Sequence, residues 1–175
     1  VYPLMYYSHN LHFVSFARMM QGNYEEALDY ARRLRKNVEG GIDDMPMIAS
    51  YGTFEWLVLT RFGKWDQILA HPEPKEKNLF VNGMYHYSRG LAFAGLGNAA
   101  KALAERERMQ GITSQVPEQE MLMNNSARSV LQIGLVDLAT AAPQAGLELA
   151  VIALSTTADT EQVSALRKLG VPVAE

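Results

Sequence analysis

The sequence predicts an all-α chain arranged as an α-α superhelix, a right-handed array of stacked helical hairpins. Three observations lead there. Short breaks at Gly22-Asn23-Tyr24, Gly63-Lys64-Trp65 and Gly97-Asn98-Ala99 interrupt apolar stretches at comparable places. The stretches between them carry apolar residues at helical spacing, and no convincing β alternation appears. The breaks also recur at long intervals, Gly63 and Gly97 being 34 residues apart and Gly22 and Gly63 being 41 apart. Such intervals belong to a repeated supersecondary unit.

The elements follow in order. Leu11, Phe13, Val14 and Ala17 give a helical stripe from Tyr6 to about Met20, which Gly22 ends. Asn23 then caps a second helix, with Glu26 three residues on as a capping-box partner. That helix buries Ala27, Leu28, Ala31 and Leu34, and its Arg32, Arg33, Arg35 and Lys36 suit the negative end of the helix dipole. Gly40-Gly41 closes the unit. Asp43 or Asp44 is expected to cap a third helix that tolerates Pro46 in its first turn and runs through Ile48, Phe54, Trp56, Leu57 and Phe62. The helix after Gly63 must stop near Ala70, because Pro72 and Pro74 forbid it further. Helices over 75–95 and 98–110 complete a third hairpin. Beyond Gly111, Pro117 is expected to open a long helix through Leu138. Two shorter helices follow, over 145–152 and from Asp159 to Gly170. The organisation is thus three hairpins over 1–111 and C-terminal helices over 112–175, packed on or extending the array in one continuous domain.

Composition narrows the function classes. The 175 residues are 48% apolar, enough for a real core, and the net charge is −3 from 16 basic and 19 acidic residues. Charges are mixed along the chain, without the basic stripe that a nucleic-acid backbone calls for. No cysteine is present, which removes thiolate chemistry and Cys-type zinc sites and fits a reducing compartment such as the cytoplasm. No uninterrupted apolar run approaches the roughly 18 residues a membrane span needs. The chain opens at Val1 rather than Met, as a piece or processed form of a longer protein would, so a targeting signal is expected to lie outside it.

Within the repeats, Gly22, Tyr24, Ala27 and Leu34 of the first unit resemble the tetratricopeptide repeat, a helix–turn–helix of 34 residues. Gly90, Gly97 and Ala102 of the third do the same. The second keeps Gly63 and Trp65 but has Ile68 where Ala is usual. The 41-residue interval is then one period plus a seven-residue insertion around Glu39-Gly40-Gly41. More narrowly, Tyr6-Tyr7-Ser8-His9-Asn10-Leu11-His12-Phe13, the segment from Arg61 to Leu69 and His86-Tyr87-Ser88-Arg89-Gly90-Leu91-Ala92 resemble a group of bacterial tetratricopeptide-like proteins without an established activity. The resemblance covers roughly 8–110 and implies a fold with a concave binding face, not a reaction.

On such a fold the first helix of each hairpin lines the inside of the curve. The face so defined carries His9, His12, Phe16 and Met19, then Thr53, Leu57, Thr60 and Arg61, then Met84, Tyr87, Leu91 and Ala94. His9, His12, Phe16, Met19, Thr53, Thr60, Arg61, Tyr87 and Arg89 are the candidate binding residues, suited to a peptide, a protein or a small polar ligand. The opposing reading is that a preceding repeat outside this sequence, or the chain's own C-terminal helices, cover these positions. Arg89 could hold a ligand carboxylate or pair with Asp66 or another acid. His9 and His12, at i and i+3, are the one candidate metal pair and would centre a metal-assisted hydrolase. They lack an acidic neighbour on their helix, and satisfied or exposed histidines are the favoured explanation. Trp56 and Trp65 read as core anchors, the nine methionines as core filling, and Glu105-Arg106-Glu107-Arg108 as a solvated face. Gly95-Leu96-Gly97-Asn98-Ala99-Ala100 imitates a dinucleotide fingerprint but follows a helix rather than a strand.

The sequence therefore predicts a non-catalytic scaffold without a cofactor. It also predicts possible self-association through Tyr2, Leu4, Met5 and Tyr6 at the N-terminal face.

Overall fold

A computed structural model of the chain describes residues 4–141. The predicted helices over 145–152 and 159–170 lie outside the described residues, as does Tyr2.

Two long helices open the described chain, α1 (Tyr6–Met20) and α2 (Tyr24–Val38). They pack as an antiparallel pair in which Ala27 and Ala31, both fully buried, let the helices approach closely. Ser15 uses that proximity to donate its hydroxyl to the Ala27 carbonyl at 2.7 Å. The next unit is more broken than expected. A short 3-10 turn (Pro46–Ile48) leads into α3 (Ala49–Gly52), α4 (Phe54–Arg61) and the stunted α5 (Trp65–Ala70). Neither Asp43 nor Asp44 caps it. The Asp43 carboxylate instead accepts the backbone amides of Lys77 and Asn78. The third pair is α6 (Leu79–Gly95) with α7 (Ala99–Thr113). Here α6 begins four residues later than expected because Asn78, following the Pro74 segment, takes the capping role and accepts from the Val81 amide at 3.0 Å.

The three breaks of the sequence become three copies of one turn. Gly22, Gly63 and Gly97 have φ of 75°, 63° and 74°, the left-handed region that favours glycine. In each, the amide three residues past the helix end bonds the carbonyl five back: Asn23 to Arg18, Lys64 to Leu59 and Asn98 to Phe93, at 2.8–2.9 Å. Asn23 and Asn98 then cap the following helix, accepting from the Glu26 and Lys101 amides.

After α7 the long helix expected from Pro117 does not start there. Residues 121–126 form a minimal antiparallel hairpin, β1 (Met121–Leu122) against β2 (Asn125–Ser126), and α8 runs only from Ala127 to Ala141. Val116 and Leu122 are buried, and Arg128 donates to the Val116 carbonyl at 2.8 Å, tying the loop to the foot of α8. Side-chain burial and this bond outcompete helix propensity across a stretch that also holds Asn124, Asn125 and Ser126, residues at home in turns.

Helix α8 packs against both α6 and α7. Leu131 sits over Gly83 and Leu138 over Gly90, where an added Cβ would come within 2.8 and 2.7 Å of leucine methyls. Both pairs advance in the same direction, so α6 and α8 run parallel. The core is continuous from Leu11 through Leu34, Leu59 and Phe80 to Leu131 and Leu138. Each such fully buried aliphatic side chain contributes about 1.5–3 kcal/mol relative to exposure.

Candidate functional site

The inner face expected from the first helices is largely occupied by the chain itself. Met19, Thr53, Thr60 and Tyr87 are all buried. Helix α4 is enclosed by α1, α2, α5 and α6, so Thr53 turns its hydroxyl to the Ser50 carbonyl at 2.9 Å, and the Thr60 hydroxyl is buried without a partner. Helix α8 lies across the third part of the face, where the Tyr87 hydroxyl donates to Asp137 at 2.7 Å. An open groove along these positions is therefore replaced by core packing. Arg61 is exposed at the end of α4.

Arg89 has a structural acid partner, though not Asp66. It donates Nε to Glu105 at 3.1 Å and Nη1 to the Leu69 carbonyl at 3.2 Å. Glu105 is 2% exposed rather than solvated, and His86 Nδ1 and Arg108 Nη1 also reach its carboxylate, at 2.7 and 3.1 Å. Burial alone would raise this carboxyl, but the bonds from His86 and Arg89 outweigh it and hold Glu105 below the ordinary carboxylate range. The cluster fastens α6 to α7.

The two N-terminal imidazoles have different surroundings. His12 is wedged among aromatic rings, with centroids 4.4 Å from Phe54 and 5.5 Å from Tyr51, and Phe16 lies at 6.5 Å. Burial, with a smaller contribution from His9, lowers its pKa to about 4, so the ring is neutral at pH 7. His9 is exposed and lies against Phe13 at 4.4 Å. Among the described residues no group of three or more His, Asp or Glu is placed to hold a metal ion. At the N-terminal face Leu4 and Met5 pack onto the core, while Tyr6 is 64% exposed.

Among the described residues a cleft of about 560 Å³ lies elsewhere, between the C-terminal half of α2, the α3–α4 junction and the segment that follows α5. Pro72 and Pro74 end α5 and force an extended path, with His71 at ψ 134°. Asp43 pins the far end of this wall through the Lys77 and Asn78 amides, at 3.2 and 2.9 Å. Asn82 fixes it again by donating to the Glu76 carbonyl at 2.9 Å. At the near end His71 stands edge-on to Trp56, their rings 6.3 Å apart.

Two of the carboxylates that line the cleft are engaged by arginines. Glu55, on α4, accepts from Arg32 Nε at 2.9 Å and lies 3.5 Å from His71 Nε2. Its burial would raise its pKa, yet the hydrogen bonds from His71 and Arg32 prevail and keep it below the usual range, hence ionised at neutral pH. Glu76 pairs through Oε1 with Arg35, which also donates Nη1 to the Gly52 carbonyl at 3.1 Å. A side chain at Gly52 would stand 3.0 Å from that guanidinium and 2.5 Å from Ile42, so the residue's bareness lets α2 and α3 meet here. The other oxygen, Oε2 of Glu76, is buried with no hydrogen-bond partner.

No known protein family, curated protein or solved structure matches the chain. The cleft lining holds neither a hydroxyl nor a thiol nucleophile, and the Glu55 carboxylate is already engaged by a guanidinium and faced by an imidazole. Such an arrangement offers fixed charge and shape to a ligand. Arg35, Glu55, His71 and Glu76 escaped the sequence reading because they are brought together from three separate segments, α2, α4 and 71–76. The signals were present: the arginine-rich end of α2, read as a dipole partner, and the His-Pro-Glu-Pro run, read as a helix stop.

Proposed function

We propose that this chain is a non-catalytic binding scaffold of stacked hairpins, tetratricopeptide-like in its α-α superhelical arrangement, and that it holds an extended peptide. The binding place is the cleft between α2, the α3–α4 junction and residues 71–76. One observation carries this reading: a recess of about 560 Å³, inside the range of roughly 300–1,000 Å³ typical of ligand pockets, walled by a segment that Asp43 pins at its far end. Trp56 gives the recess an apolar surface, and Glu55 and Glu76 supply fixed acceptors. The regular turns at Gly22, Gly63 and Gly97 and the parallel packing of α6 with α8 support the repeat assignment.

Titration of the isotopically labelled protein with blocked tripeptides of the form acetyl-Gly-X-Gly-amide tests it. The Trp56 indole and His71 ring signals are expected to shift, while the Trp65 indole, packed against Gly95, stays in place. If no peptide in the panel perturbs a cleft residue, the cleft is not a peptide site.

A further inference from the structure

We propose that the cleft selects a cationic side chain, the guanidinium or ammonium group of an arginine or lysine in the bound peptide, with Glu76 Oε2 as its acceptor. This rests on the peptide-binding reading of the same cleft. The Glu76 side chain is only 8% exposed, and Arg35 engages one of its two oxygens. Its other oxygen is buried and accepts nothing, although a carboxylate oxygen taken from water calls for a donor. A rotation of the side chain that turns this oxygen into the cleft would give it a ligand N–H.

The charges around it choose the sign of that ligand. Glu39, Asp43, Glu55, Glu73 and Glu76 line the cleft against Arg35 and Lys75. Even after Arg32 is counted against Glu55, negative charge remains in excess. The arginine donors are already engaged, Arg35 Nη1 with Gly52, Arg35 Nη2 with Glu76 and Arg32 Nε with Glu55, while the Lys75 ammonium is exposed to solvent. A carboxylate or phosphate would meet like charge, whereas a cation meets an unfilled acceptor. Trp56, Pro72 and Pro74 offer apolar surface for the methylene stem behind the charged head.

The probe is acetyl-Gly-Arg-Gly-amide, compared by calorimetry and NMR with the citrulline peptide, which has the same shape without the charge, and with acetyl-Gly-Glu-Gly-amide. The arginine peptide is expected to bind about tenfold or more tightly than the citrulline peptide, and the glutamate peptide not detectably. Glu76→Gln keeps an acceptor for Arg35 but places an amide where the unfilled oxygen stood, so it is expected to abolish the advantage of arginine. Glu73→Gln, at an exposed lining position that no core contact depends on, is expected to weaken the arginine peptide about threefold. Equal binding of arginine and citrulline peptides at the cleft overturns cation selection and leaves the peptide site standing. Undiminished arginine binding in both variants also overturns it. Silence of the cleft toward every peptide removes the peptide site itself.

Discussion

The Tyr87 hydroxyl donates to Asp137 Oδ2 at 2.7 Å within the packing of α6 against α8, and both side chains are buried. Burial above all, then the charge and hydrogen bond of Asp137, raises the Tyr87 pKa well above that of an ordinary phenol. Asp137 is itself raised by burial, with the Tyr87 bond opposing. Tyr87→Phe strands a buried carboxylate and is expected to cost about 1–3 kcal/mol in urea unfolding at pH 7. Asp137→Asn keeps an acceptor for the phenol, removes a buried charge, and is expected to change stability by less than about 1 kcal/mol. Because the folded Tyr87 pKa is the higher one, its contribution is full below about pH 10 and is lost as pH rises beyond it. Tyr87→Phe should flatten that alkaline decline.

His12 gives the opposite limb. Its folded pKa of about 4 lies below the unfolded value, so above about pH 6.5 both states are neutral. As pH falls from about 6.5 toward 4 the unfolded chain takes a proton that the folded one refuses, and stability drops. His12→Phe, with a ring of similar shape among Tyr51 and Phe54, is expected to remove this part of the slope. Denaturant midpoints at pH 7, 5.5 and 4.5 measure it. Parallel slopes in wild type and variant would show that His12 titrates freely.

Gly95 and Gly111 should respond to alanine with opposite signs. A Cβ at Gly95 would lie 2.5 Å from the Trp65 ring, a rigid neighbour, so Gly95→Ala is expected to destabilise by about 1–3 kcal/mol. Nothing lies within 4 Å of one at Gly111, inside α7, where the same change is expected to stabilise by about 0.5–1 kcal/mol. Thermal unfolding of the two variants decides it, and a shift of the same sign in both would contradict the packing described.

At Gly97 space is not the issue, since nothing stands within 4 Å, but φ is 74°. Gly97→Ala is expected to cost about 1 kcal/mol through the backbone alone, and Gly97→Asn less, because asparagine tolerates the left-handed region. Equal melting temperatures for the two would refute a conformational origin.

The all-helical class was legible because glycine breaks, asparagine caps and 3.6-residue periodicity are local, and the structure keeps them at Gly22-Asn23 and Gly97-Asn98. The loop before α8 was not legible. Its course is decided by the Arg128 bond to the Val116 carbonyl and by the packing of β1, with buried Leu122, against the distant Pro46–Ile48 turn, neither of which helical periodicity reports. The cover over Tyr87 had a faint sign, Gly83 and Gly90 seven apart in one helix and Leu131 and Leu138 seven apart in another. Nothing local says that the two pairs meet. The cleft was hidden for the same reason, as Arg35 finds Glu76 41 residues away.

The wall formed by 71–76 is anchored by Asp43 at one end and stands beside Trp56 at the other. A guest would therefore meet a receptacle already in shape, and little conformational entropy would be surrendered on its arrival. Association should then proceed in a single concentration-dependent phase without a slower closing step, and differences among guests should reside in how fast they leave.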